Sequence, residues 1–174
     1  SVGTFSGTIQ PYGMPTTTIN GGGGGGGHYV GESYGGGTVA YVDNTNHGII
    51  ISWNQFNINN VWGGNTVTGA DADTLYNGLL NTNLIATSYP TSAAADCLAL
   101  SQGGFNDWVL PTASDWYAIQ TNYITLGISN TYYYWTSIEN FGDPLNAFAF
   151  SPLDNTTYYW SKTANLPYIA VRYF

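Results

Sequence analysis

The sequence predicts an α+β domain with two or three helices and an antiparallel sheet, preceded by an extended N-terminal arm. Three observations predict it. Apolar residues make up 43% and aromatic residues 16% of the 174, a composition that builds a packed core and excludes disorder. Helical spacing and capping signals concentrate between residues 71 and 123. Beyond Gly127 the pattern changes to short aromatic runs separated by Gly142-Asp143-Pro144 and Asp154-Asn155 turns. Helices first and an antiparallel meander last is an α+β layout.

Three zones follow one another along the chain. Residues 1–20 are the arm and contain no acid or base. Its first stretch is β-prone, with Val2 at the start and Phe5, Gly7 and Ile9 alternating against Thr4, Ser6 and Thr8. Pro11, Gly13 and Pro15 stop it, and Thr16-Thr17-Thr18-Ile19 is a second short extended piece. Residues 21–27 are seven consecutive glycines, Gly21 through Gly24 to Gly27, read as a flexible hinge. Residues 28–174 carry the globular pattern.

Within that part, residues 37–42 and 48–53 make a hairpin across an Asp43-Asn44-Thr45-Asn46-His47 loop whose Asx residues tolerate turn geometry. Residues 71–86 have apolar positions at Leu75, Leu79, Leu80, Leu84 and Ile85, a loose helical spacing with a break expected at Asn81–Asn83. A second helix spans residues 92–100, capped by Thr91 or Ser92. The third has the clearest start, since Thr112 stands three residues before Asp115 in a capping-box arrangement. Trp116, Ile119, Gln120 and Tyr123 then share one face. Strands follow at residues 132–137, 147–151, 157–160 and 168–173. The runs Tyr132-Tyr133-Tyr134-Trp135 and Tyr158-Tyr159-Trp160 alternate across their strands, which predicts one aromatic face in the core and one exposed or covered by a partner.

A series of motifs runs through the chain in a fixed order. Gly103-Gly104-Phe105-Asn106-Asp107-Trp108-Val109-Leu110-Pro111 is a glycine turn, a polar corner and a buried strand. Tyr134-Trp135-Thr136-Ser137 and the closing Val171-Arg172-Tyr173-Phe174 complete it. Upstream stand Gly36-Gly37-Thr38-Val39-Ala40-Tyr41-Val42-Asp43, His47-Gly48-Ile49-Ile50, Trp62, Thr66-Val67-Thr68-Gly69-Ala70 and Asn81-Thr82-Asn83-Leu84-Ile85. The series resembles the domain at the C-terminus of the Legionella collagen-like adhesin and in many secreted bacterial proteins. In that family a DWxLP corner precedes a YWSS-E strand and a terminal VR strand. The resemblance implies a C-type-lectin-like fold and a role at the bacterial surface, with glycan-binding adhesion in part of the family.

Charge narrows the partners. Two basic residues, Lys162 and Arg172, face ten acids, for a net charge of −8. Nucleic acid is excluded, because phosphate binding needs clustered bases. Polyanionic glycans and acidic membrane surfaces are repelled for the same reason. No apolar run is long enough to insert into a membrane. A start at Ser1 without Met reads as the mature product of export, consistent with a secreted, cell-surface protein. The single cysteine, Cys97, excludes an internal disulfide and lies in a small-residue helix, where burial is favoured over an intermolecular bond.

Residues with catalytic potential are few. His28 and His47 sit beside glycine in loops without metal-ligand spacing. No Gly-x-Ser-x-Gly elbow is present, and the polyglycine run lacks the Lys and Ser/Thr of a phosphate loop. Asp107, Glu139 and Asp143 are the acids nearest the corner and the aromatic strand, and turn duties account for Asp107 and Asp143. No catalytic residue and no cofactor is assigned. Calcium is the ion weighed, and its six to eight oxygen ligands find no dense acidic spacing here. Asn106, Asp107, Trp108 and Arg172 are read as a structural corner, with Asp107 either accepting backbone N–H bonds or pairing with Arg172, whose apolar strand calls for an acid.

Two functions remain. The first is a non-enzymatic extracellular structural protein, a subunit of a self-assembling filament. Its arm, through Val2, Phe5, Ile9 and Ile19, docks on a neighbouring copy by strand addition. The second is a glycan-binding adhesin or a trimeric phage tail-fibre tip. Tyr133, Trp135, Tyr159 and Trp160 are the candidate glycan or interface aromatics. The expected partners are thus copies of the chain itself and surface glycans, and the first reading is preferred.

Overall fold

The computed structural model describes residues 27–53 and 58–174. Residues 1–20 and all of the polyglycine run except Gly27 lie outside the described residues, so the arm and hinge readings, including Val2, Phe5, Ile9, Ile19, Gly21 and Gly24, do so too. In chain order the elements are β1 (Ser33–Tyr34), β2 (Gly37–Val42), β3 (Gly48–Ile51), β4 (Asn59–Asn60), α1 (Gly78–Ser88), α2 (Ala93–Ala99) and α3 (Ala113–Gln120). They continue with β5 (Tyr134–Glu139), β6 (Asn146–Ser151), β7 (Thr156–Ser161), β8 (Leu166–Pro167) and β9 (Val171–Tyr173). The architecture is α+β, with three helices among the described residues and antiparallel sheets.

The strands form a sheet β1-β2-β3-β9, a meander β5-β6-β7 and a short pair β4-β8. β2 and β3 are the expected hairpin, in register from Val39↔Ile50 to Val42↔Gly48 with a bulge between Val39 and Tyr41. Its loop is closed by Asp43, whose Oδ1 accepts from Thr45 Oγ1 at 2.7 Å, Thr45 N at 2.8 Å and His47 N at 3.0 Å. Those donors, the Thr45 hydroxyl foremost, hold the Asp43 carboxyl down at about 2. β9 then pairs with β3, Ile50 opposite Arg172, and brings the C-terminus beside the first hairpin.

The period-two alternation of the strands divides the core into two clusters. Ile50, Trp135, Ala147 and Ala149 point toward α1 and α2, where they meet Ile85, Ala93, Ala94 and Cys97. Ile49, Ile51, Tyr134 and Phe150 point the other way, onto Trp116 and Ile119 of α3. Gly48-Ile49-Ile50-Ile51 is therefore buried on both faces, which is why it is a continuous apolar run rather than an alternating one. Four enclosed tryptophans also place their indole N–H groups: Trp62 donates to Thr136 O, Trp108 to Phe105 O, Trp116 to Trp135 O and Trp135 to Asn60 O, at 2.9 to 3.2 Å. Cys97 is buried among these side chains, and burial pushes its thiol pKa up, which keeps it protonated and inert.

The helices follow their caps. Ser92 Oγ accepts from Ala95 N at 3.2 Å and starts α2. The capping box of α3 is complete: Thr112 Oγ1 accepts from Asp115 N at 3.0 Å, and Asp115 Oδ2 accepts from Thr112 N at 2.9 Å. α1 differs from the expectation in two ways. It begins at Gly78 rather than near residue 71, and it runs through Asn81–Asn83 without a break. Its buried stripe is Gly78, Asn81, Thr82 and Ile85, while Leu79 and Leu80 face outward. The polar residues are satisfied inside: Asn81 Nδ2 donates to Ala72 O, Asn81 Oδ1 accepts from Ala72 N, and Thr82 Oγ1 donates to Gly78 O. Hydrogen-bond capacity, not hydrophobicity, decides which way this helix faces.

A candidate interaction surface

The corner is built from glycine upward. Gly36 and Gly103 both have positive φ, 82° and 61°, and their backbones meet so closely that a Cβ on Gly103 would overlap Gly36 Cα. Gln102 locks the contact by donating Nε2 to Gly36 O at 2.6 Å. The chain then turns through Phe105 and Asn106, and Val109 joins β9 by two hydrogen bonds with Val171, at 2.8 and 2.9 Å. This docking places Asp107 under Arg172. Arg172 Nε donates to Asp107 Oδ1 at 2.7 Å and Nη2 to Oδ2 at 2.9 Å, a bidentate pair. Nη1 donates to Gly35 O at 3.0 Å, and the guanidinium lies 3.8 Å from the Phe105 ring centroid. Of the two roles open to Asp107, it has taken the pairing with Arg172. Trp108 is fully buried beside the pair, and Asn106 is exposed and stands outside it. The Arg172 partnership holds the Asp107 carboxyl below its ordinary range.

The other base is buried as well, which sequence reasoning missed. Lys162 Nζ donates to Glu139 Oε1, to Thr66 O at 3.0 Å and to Asp143 O at 3.3 Å, and sits 5.0 Å from the Trp62 ring centroid. Glu139 in turn accepts from Thr68 N at 2.9 Å and Gly69 N at 2.9 Å. The available signal was a lone acid and a lone base, each ending an aromatic strand. The lysine and the arginine are thus both buried, each paired with an acid, Glu139 inside and Asp107 at the surface. A third acid, Asp115, lies buried in the α3 capping box, where it accepts from Tyr173 Oη at 2.7 Å and Tyr76 N at 2.9 Å. Burial raises its carboxyl pKa, and these donors oppose the shift.

The candidate aromatics separate. Trp135 is 0% exposed, so it presents no face to a sugar or a partner and is removed from the candidate list. The alternation argument fails at β5 because both faces of that strand are covered, one by each core cluster. β7 behaves differently, since Tyr158 and Tyr159 are exposed and Trp160 is half-buried. Tyr133 joins Trp160 and Tyr158 with centroids 5.2 and 5.4 Å apart, forming one cluster at the sheet margin. On the other face, Tyr159 packs on Phe148 at 4.8 Å. Phe148 was not singled out from sequence because it lies in an ordinary alternating strand.

No protein-family model and no curated protein matches this chain. Function is therefore read from the chain's own residues. Among the described residues no group of three or more His, Cys, Asp or Glu side chains is placed to hold a metal ion. No helix of the described residues is long and apolar enough to cross a membrane. What the surface offers is exposed aromatic and aliphatic side chains set among acids and neutral polar groups.

Proposed function

We propose that this chain is a non-enzymatic extracellular structural protein, a subunit of a self-assembling surface filament. In this reading its fold is C-type-lectin-like and its N-terminal arm docks on a neighbouring copy. The observation that carries the proposal is the exposed surface. Phe141, Ile124, Leu153 and Tyr159 are 86, 77, 69 and 64% exposed, while both bases are inside. Such a surface has neither Lys nor Arg free to pair with the acids of a second copy, so cohesion is expected from apolar contact and backbone hydrogen bonds. An arm without acid or base adds no repulsion to that contact. A head-to-tail contact of this kind does not close and propagates a fibre.

Electron microscopy of the full chain beside the Phe5→Asp, Ile9→Asp double variant tests the proposal. Fibres from the first and dispersed particles from the second are expected. Dispersed monomers or trimers from both would end the filament reading. The cluster of Tyr133, Tyr158 and Trp160 favours one second reading, a glycan-binding surface on an adhesin or tail-fibre tip, since its rings present flat apolar edges with hydroxyl groups. Binding of neutral glycans that is lost in Tyr158→Ala would support that reading.

A further inference from the structure

We propose that the outer edge of β7 is the seat of the arm, and that residues 2–9 of a second copy add there as a strand next to Thr157 and Tyr159. This rests on the filament reading above and names its receiving surface. Lys162 N donates to Leu145 O at 2.9 Å, which marks that pair as a hydrogen-bonded position in the β6–β7 register. Alternation along an antiparallel ladder then makes Trp160↔Ala147 and Tyr158↔Ala149 hydrogen-bonded pairs. Tyr159↔Phe148 and Thr157↔Phe150 are the wide pairs, so the N–H and C=O groups of Thr157 and Tyr159 point away from the sheet. No other described residue hydrogen-bonds to them.

Among the described residues the other edges of the two larger sheets are occupied or short. The outer side of β5 is occupied by Ser137 N donating to Pro111 O and Glu139 N donating to Ala70 O, both at 2.7 Å. β9 is covered by Val109, and β1 has only two residues. β7 also lacks the usual protection of an open edge. Thr156-Thr157-Tyr158-Tyr159-Trp160-Ser161 contains no Lys, no Pro and no other charge, and its six pairs with β6 run without a bulge.

The occupant is argued from the chain itself. Twenty-six residues precede the described part, and their first nine alternate Phe5, Gly7 and Ile9 against Thr4, Ser6 and Thr8 with no charge. An added strand of that pattern lays one row on the face shared by Phe148 and Tyr159 and the other beside Tyr158 and Trp160.

Disulfide trapping in the full chain tests this, with Cys97→Ala as the background. One population carries Thr4→Cys, Ser6→Cys or Thr8→Cys. The other carries Thr157→Cys, or Ile124→Cys as an exposed control site. Oxidised mixtures should give dimers linked through Thr157→Cys at about ten-fold the yield of the Ile124→Cys control, because docking fixes a high local concentration. Fibres that form with equal yields at both sites would overturn the β7 assignment and leave the filament reading standing. Cross-linking confined to monomers of a chain that carries both cysteines would overturn the second copy as occupant. Absence of fibres from the unmodified chain would overturn both. A Thr157→Pro chain, which loses an outward donor but no β6–β7 hydrogen bond, should fold with unchanged circular dichroism and fail to assemble.

Discussion

At the scale of single residues, the two bases carry the clearest consequences. Arg172→Met leaves Gly35 O without its donor and removes the Phe105 contact, while Asp107, with its side chain 54% exposed, regains water. The loss should be about 2 kcal/mol, because the exposed acid is well screened. The melting temperature should fall by about 5 °C, and an unchanged value would remove the structural role assigned to the pair. Lys162→Met is expected to cost more, about 3–5 kcal/mol, since Glu139 is then a buried charge without a counterion. Combining it with Glu139→Gln should cost less than the two separate losses together, read by urea unfolding of all four chains. Strict additivity would mean that the ion pair contributes no coupling.

Acid response also belongs to this scale. The Asp107 pKa is lowered on folding, so between the folded and unfolded values the unfolded chain binds more protons and stability rises with pH. The contribution of the pair is present above about pH 4 and is lost as pH falls through the lowered folded value. Asp115 has the opposite sign. Its folded pKa is raised, so its contribution is greatest at low pH and declines as pH rises through the folded value. Asp107→Asn should therefore flatten the acid limb of a melting-temperature profile below about pH 4. An unchanged acid limb would show that the pair does not form in solution.

At the scale of elements, capping signals and the buried face of α3 were legible and the buried face of α1 was not. Thr112 with Asp115 announced α3 because its box is local, made within four residues. Thr112→Ala should cost about 1–2 kcal/mol, since Thr112 Oγ1 also donates to Thr74 O at 3.2 Å. A change within about 0.5 kcal/mol in urea unfolding would mean that this cap is not what holds the helix start. Of the apolar positions that mark α1 in the sequence, Ile85 is buried and Leu84 packs against the core, while Leu79 and Leu80 face outward. Asn81 finds its partners only where Ala72 arrives from outside the helix, and Thr82, which donates to Gly78 O within it, also accepts from Leu110 N. The aromatic strands show the same limit. Tyr134-Trp135 and Tyr158-Tyr159 are alike as sequences and both flank β6, yet β5 is enclosed on both faces with its outer side bonded to Pro111 and Ala70, while β7 is largely exposed.

At the scale of the whole molecule, burial of both Lys162 and Arg172 has a direct test. Trypsin has two target sites, after Lys162 and Arg172, and the chain upstream of Lys162 contains none. Both sites are buried and hydrogen-bonded, so the folded protein should resist digestion that chymotrypsin achieves at exposed aromatic residues. Unfolded in urea, it should yield three fragments, as two sites dictate. Rapid trypsin cleavage of the native chain would contradict the burial of both bases.

The sequence by itself determined the α+β class, the first hairpin, the starts of α2 and α3, the burial of Cys97 and the need of Arg172 for an acid. Each of these depends on a local pattern, or on the rule that a base in an apolar strand needs an acid. Tertiary structure alone decided which sheet edge stayed open, which aromatics reached the surface, that Asp107 takes Arg172 and that Lys162 meets Glu139. Those outcomes depend on contacts between residues far apart in the chain, where local periodicity carries no information about the neighbour.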